Sequence, residues 1–229
     1  MPSLRFSRVG RNLYCLQDIS LADIFIQMVV LLFSLTVHET AHAWTANQFG
    51  DPTARLLGRI SLNPIVHADP IGTILFPLIS MVSGAPLLGW AKPVPVNLRY
   101  LRHPRRDYML VAAAGPASNL VLALFAALLL VLVPVSPQTV GEANVSVPVA
   151  AFLSQLVRLN VLLAVFNMLP IPPLDGGNVL AGLVPESAAR VLDQLRQFGF
   201  IALYALMLSG ILERLIMPPT VFFYRLLLL

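Results

Sequence analysis

Apolar residues in this chain come in long runs rather than in alternation, at about 21–46, 71–90, 108–133, 149–170 and 198–217, with an apolar tail near 219–229. A helix needs ~20 such residues to cross the hydrocarbon core of a bilayer, so the pattern predicts several spanning helices. Polar residues, glycines and prolines mark the joints. Residues 1–20 carry Arg5, Arg8 and Arg11 and end in Asp18 and Ser20, either of which can cap a first helix running to about Asn47. Gly50, Asp51 and Pro52 stop it. Over 54–69, Gly58, Pro64 and Pro70 argue for strand or loop rather than helix. The apolar stretch 71–90 holds Gly72, Pro77, Gly84, Pro86 and Gly89 and leads into Pro93 and Pro95, so it reads as irregular or extended.

Charge orients these elements. Residues 97–107 contain Arg99, Arg102, Arg105 and Arg106, whereas 134–148 contains Glu142 and neither Lys nor Arg. Positive loops face the cytoplasm, so the helix over 108–133 leaves that side and the helix over 149–170 returns to it. Its exit passes from Asn167 through Pro170, Pro172 and Pro173 to Asp175, Gly176 and Gly177. Unwound backbone at membrane depth is tolerated only under a cover of protein or water, which marks a second functional segment. Arg5, Arg8 and Arg11 run against this orientation unless the N-terminal arm lies along the membrane surface.

Composition agrees. Of 229 residues, 57% are hydrophobic and 11% charged, and the mean hydropathy is +0.79, outside the range of ordinary soluble domains. The net charge of +4 is spread over loops, with no basic run interleaved with aromatics, which excludes a nucleic-acid partner and leaves the lipid bilayer. No run reads as a cleaved signal, because the first contains the chemistry described next. The expectation is one membrane-embedded domain over 1–229, with a core at about 21–180 and peripheral helices over 181–229. Cys15 is the single cysteine, so a metal site must be built from His and carboxylates.

Within the first run stands His38-Glu39-Thr40-Ala41-His42. Two imidazoles at i and i+4 share a helix face and can grip zinc, and the intervening Glu can serve as general base. Ionisable groups inside an apolar helix are unfavourable to bury and are functional by default. A catalytic zinc takes three protein ligands, so one is missing. Asp175 stands where the returning helix breaks, and is either that ligand or a turn residue bonding its own backbone. His67 is the rival for the third position. Asn119, in Gly115-Pro116-Ala117-Ser118-Asn119, can bond across to a neighbouring helix.

Three segments together, His38-Glu39-x-x-His42, Gly115-Pro116-x-x-Asn119 and Asn167-x-x-Pro170-x-x-Pro173-Leu174-Asp175-Gly176, resemble the site-2 protease family of intramembrane zinc metalloproteases over about 21–180. Residues 89–97 are similar to the small bacterial members, and the chain lacks the PDZ-like or CBS-like domain of others. The resemblance implies an all-α polytopic fold with a three-helix catalytic core and peripheral transmembrane helices. It also implies one zinc on His38, His42 and Asp175, with Glu39 as general base, and a membrane-embedded protein as substrate.

For His38, His42 and Asp175 to share one ion, the motif helix and the returning helix must end at similar depth on the same side, so the first helix must also run towards the cytoplasm. Residues 48–107 then begin and end on that side, and 71–90 is expected to be a re-entrant, partly extended loop lining a cytoplasm-facing site in the cell membrane. An extended edge near 71–97 can pair with an unwound substrate as an added strand. Asn167 or Asn119 are the candidates to hold the substrate backbone or stabilise the oxyanion. The competing class is a non-catalytic metal transporter or sensor that uses the same His pair.

Overall fold

The computed structural model describes residues 21–83, 89–134 and 146–228. Among these, four helical stretches are long and apolar enough to cross a membrane: Leu21–Gln48, Pro104–Val131, Val147–Asn167 and Glu186–Leu208. The protein is an all-helical, multi-pass membrane protein. The proposed caps Asp18 and Ser20, the arginines of the N-terminal arm and Glu142 lie outside the described residues.

Helix α1 (Leu21–Gln48) is 28 residues long, about 42 Å at 1.5 Å per residue, more than the ~30 Å hydrocarbon core. Gly50 ends it with φ 108, a conformation that glycine adopts without strain, and a Cβ there would stand 2.9 Å from the Tyr100 carbonyl. Single helical turns follow, α2 (Thr53–Leu56) and α3 (Pro64–His67). Strand or loop was the expectation there. Pro64 does not break α3 but opens it, at a first-turn position whose N–H has no helical partner, with Asn63 Oδ1 accepting from Ile65 N at 3.1 Å.

The stretch expected to be irregular is likewise helical in its first part. A wide turn over Pro70–Leu75 leads into α4 (Phe76–Ser83), with Asp69 capping it through Ile71 N and Gly72 N. The wider i to i+5 pattern falls directly before Pro77, which has no N–H to donate to a regular helix. Residues 89–97 form neither helix nor strand, and the amides of Trp90, Lys92 and Val94 face the protein in alternation, the spacing of an extended chain.

Helix α5 (Pro104–Val131) packs against α1, α6 (Ser146–Asn167) and α7 (Asp175–Leu183). Its other side exposes Val121, Leu124, Phe125, Leu128 and Val131, an apolar belt suited to lipid. Val30, Leu31, Ala123, Ala126, Val157 and Val161 form the core between the three long helices. Alanines there let the backbones approach closely. Beyond them come α8 (Glu186–Leu195), α9 (Gly199–Leu208) and α10 (Ile211–Leu228), the last packed on α6. The apolar run expected over 198–217 is divided at Gly210, with φ 71, and α8 and α9 together supply the fourth stretch of spanning length.

The end of α1 and the approach to α5 lie side by side: Arg102 N donates to Phe49 O at 3.2 Å and Asn97 N to Asp51 Oδ2 at 2.6 Å. Residues 48–107 thus leave and rejoin the same end of the helical core, as a re-entrant segment must.

Candidate metal centre

One helical turn brings His38 and His42 onto the same side of α1, facing α5 and the N-terminus of α7. Both are buried. Each ring is pinned through Nδ1. His42 Nδ1 lies 2.7 Å from the Val111 carbonyl, which can only accept, so Nδ1 carries the proton. His38 Nδ1 lies 2.6 Å from Asn119 Oδ1, again an acceptor. In both rings the Nε2 lone pair is left to bind a metal.

Asp175 opens α7, and its carboxylate reaches both histidines: Oδ2 stands 3.1 Å from His38 Nε2 and 3.4 Å from His42 Nε2. The two Nε2 atoms are themselves 3.1 Å apart. Donors held at about 2.0–2.1 Å from a tetrahedral zinc are separated by about 3.3 Å, so this near-equilateral triangle matches one face of that tetrahedron. Among the described residues, His38, His42 and Asp175 are the group of potential ligands whose donor atoms converge.

Gly115 makes room for the rings. A Cβ at this position would collide with both imidazoles, with His38 Cε1 at 2.6 Å. Pro116, next along α5, removes the N–H that would bond Ala112 O, loosening the turn in which Val111 presents its carbonyl. Gly176 and Gly177 allow the loop at 168–172 to fold back onto the first turn of α7, since a Cβ at either would strike its backbone.

Glu39, half-buried beside His38, accepts a hydrogen bond from Val94 N at 3.1 Å. The extended segment 89–97 therefore lies against the motif helix. His67 belongs elsewhere: its Nε2 is 2.8 Å from Ser61 O and 3.4 Å from Thr40 Oγ1, and it takes no part in the triangle.

Asn119 bonds across to two neighbouring helices. It is fully buried, with Oδ1 on His38 and Nδ2 2.7 Å from Asn160 Oδ1. Both ends of its amide are engaged within the protein, one on the His38 ring and the other on Asn160. Asn167 is half-buried at the end of α6, with Nδ2 donating to Leu163 O at 3.0 Å. Sequence reasoning missed Asn160, which passes the network on to Ser34 Oγ at 2.9 Å and Leu156 O at 2.8 Å. A polar amide in the middle of the apolar run 149–170 was the available signal.

The family model for peptidase family M50 matches residues 26–147 and 134–210. The chain is 41% identical over 191 residues to "Putative zinc metalloprotease YwhC" of Bacillus subtilis (strain 168), covering 83% of this chain and 84% of that protein. The chain belongs to peptidase family M50, the site-2 protease family. This family member is also 32% identical over 206 residues to "Putative zinc metalloprotease Rip2" of Mycolicibacterium smegmatis (strain ATCC 700084 / mc(2)155), covering 87% of this chain and 73% of that protein. Its Mycobacterium tuberculosis (strain ATCC 25618 / H37Rv) namesake is 34% identical over 200 residues, covering 86% of this chain and 72% of that protein. No solved structure matches. The M50 peptidase is a zinc metalloprotease.

Proposed function

We propose that this M50 peptidase hydrolyses peptide bonds of membrane-spanning proteins, with His38, His42 and Asp175 holding one zinc and Glu39 acting as general base. The observation that carries the reading is the triangle of donor atoms, 3.1, 3.1 and 3.4 Å on its edges, built partly on a helix of spanning length. When bound, zinc supplies Lewis-acid polarisation of the scissile carbonyl and acidifies water. The chain's own groups do the rest. Glu39 takes the proton from the attacking water and delivers it to the departing amine. Val111 O and Asn119 keep both imidazoles in the ligating tautomer.

Strand addition along 89–97 is limited by chemistry. Trp90 N bonds Gly72 O, Lys92 N bonds His67 O and Val94 N bonds Glu39, so alternate amides face the protein. On the opposite edge Pro93 and Pro95 carry no N–H, leaving Ala91 N–H and the carbonyls other than that of Pro93, which Arg59 holds, to meet a substrate. A substrate laid there donates more bonds than it accepts. Asn167 remains the proposed side-chain contact to its backbone.

The reading comprises one membrane-embedded domain with its site towards the cytoplasmic side of the cell membrane. Arg99, Arg102, Arg105 and Arg106 cluster around the start of α5, at the end of the core where α1 finishes, which supports that orientation. The deciding experiment incubates purified wild type and Glu39→Gln with single-span proteins while zinc is measured in both. Cleavage by wild type alone, with zinc in both, is expected. Equal cleavage by the two would remove Glu39 from the mechanism. Metal transport unaffected by Glu39→Gln, without cleavage by either, would favour a transporter.

A further inference from the structure

We propose that Arg59 is a positioning residue of this peptidase, fastening the extended segment 89–97 to the motif helix so that Val94 N–H meets the Glu39 carboxylate. The proposal rests on the peptidase reading for its kinetic consequence and on geometry for the rest.

Arg59 is 5% exposed and has no carboxylate partner among the described residues. The hydrogen bonds of its two terminal guanidinium nitrogens all go to backbone carbonyls, while Nε is buried without a partner among the described residues. Nη1 donates to Val66 O at 2.7 Å, while Nη2 donates to Lys92 O and, at 3.2 Å, to Pro93 O. Burying a cation without a counter-charge is unfavourable, and filling the same space with an apolar side chain would avoid that cost. A forked set of donors is what the location requires. Pro93 and Pro95 remove two of the segment's amides, so carbonyls are the main handles left in its middle. A planar guanidinium can hold carbonyls from two strands of chain at once, which a lysine ammonium does less well.

The rest of the fastening flanks this point. Trp90 is held by Gly72 O at 3.0 Å and by Thr73 Oγ1 at 2.7 Å. Lys92 N bonds His67 O at 2.8 Å, and Asn97 N bonds Asp51 Oδ2 at 2.6 Å. Between Lys92 and Asn97, Arg59 and Glu39 are, among the described residues, the two side chains that hold this backbone. Arg59 touches no zinc ligand, so its effect on chemistry passes through the segment.

The test combines hydrogen exchange, zinc content and cleavage kinetics on the full chain in detergent. In Arg59→Ala, amides in 90–97 lose protection while those of α1 keep theirs, and zinc stays near one per chain. Cleavage of a single-span substrate falls on the order of 100-fold in kcat, with a smaller change in KM, as misplacement near a reacting group produces. Val94→Pro removes the N–H that meets Glu39 and gives a similar loss. The double variant is no slower than the worse single one, because both act through one contact. Arg59→Lys recovers part of the loss, and together with Arg59→Gln it carries the test should Arg59→Ala not fold. Unchanged protection of 90–97 in the Arg59 variants overturns the proposal, as do losses that multiply in the double variant. If exchange responds as expected but wild type cleaves nothing, the positioning role stands and the peptidase reading fails.

Discussion

Asn119 Oδ1 stands 2.6 Å from His38 Nδ1, and this contact determines which nitrogen of His38 faces Asp175. An amide oxygen can only accept, so the proton sits on Nδ1 and the Nε2 lone pair points into the triangle of ligands. The amide is itself held at 2.7 Å by Asn160, which bonds Ser34, so one polar chain links all three long helices to the cluster of His38, His42 and Asp175.

Asn119→Ala should weaken zinc binding by about 10–100-fold, the usual effect of removing an outer partner of a ligating histidine. Competition with a chelator measures it. Asn160→Ala should have a smaller effect in the same direction, since Asn119 then loses its support but keeps its bond to His38. Unchanged affinity in Asn119→Ala would show that packing alone orients the ring.

Asp175→Asn tests the third ligand. It keeps the shape of the side chain at the start of α7 but removes the charge that faces both imidazoles. Zinc content should fall well below one per chain, a larger loss than an outer-partner change produces, whereas Glu39→Gln should keep its metal. Equal zinc retention in the two variants would place the third ligand elsewhere.

Much of this site could be read from residue types. His38, Glu39 and His42 share an apolar helix, where ionisable groups are too costly to be incidental, and Asp175 stands at an unwound helix end. Proline was harder to interpret. Pro64, Pro70 and Pro104 each open a helical element rather than end one, because an N-terminal turn has no use for the missing N–H. For Asn119, spacing shows that a polar group sits in a helix and can bond across, but not which neighbours it meets. The same limit hid Arg59, which in sequence is an arginine in a glycine- and proline-bearing loop and in space is a buried clamp.

His67 offers a pH test outside the spanning helices. Burial pushes its imidazole below the ordinary 6.5, the Arg59 charge acts in the same direction, and the Ser61 carbonyl and Glu39 oppose them. The unfolded chain therefore takes up a proton near pH 6.5 while folded His67 stays neutral to lower pH. Stability from this residue is present above 6.5 and is lost as the pH falls below it, because the unfolded state then binds more protons. His67→Gln should flatten that part of the acid side of the Tm profile between pH 7.5 and 5.5. Parallel profiles for variant and wild type would exclude His67 as a contributor.

Gly115→Ala is the sharpest test of how the site is packed. A Cβ there would overlap His42 Nε2 and come within 2.6 Å of His38 Cε1. Neither ring can turn aside without losing its Nδ1 bond, to Val111 O for His42 and to Asn119 for His38. Either α5 shifts away or the triangle opens, and in both cases zinc affinity falls. Gly58→Ala separates this from backbone strain: φ there is +67 and nothing lies within 4 Å of the added carbon, so it should cost about 1 kcal/mol of stability and leave zinc bound. Zinc titration and thermal unfolding of both variants make the comparison. Wild-type affinity in Gly115→Ala would mean that the helices separate more easily than their alanine-lined core allows.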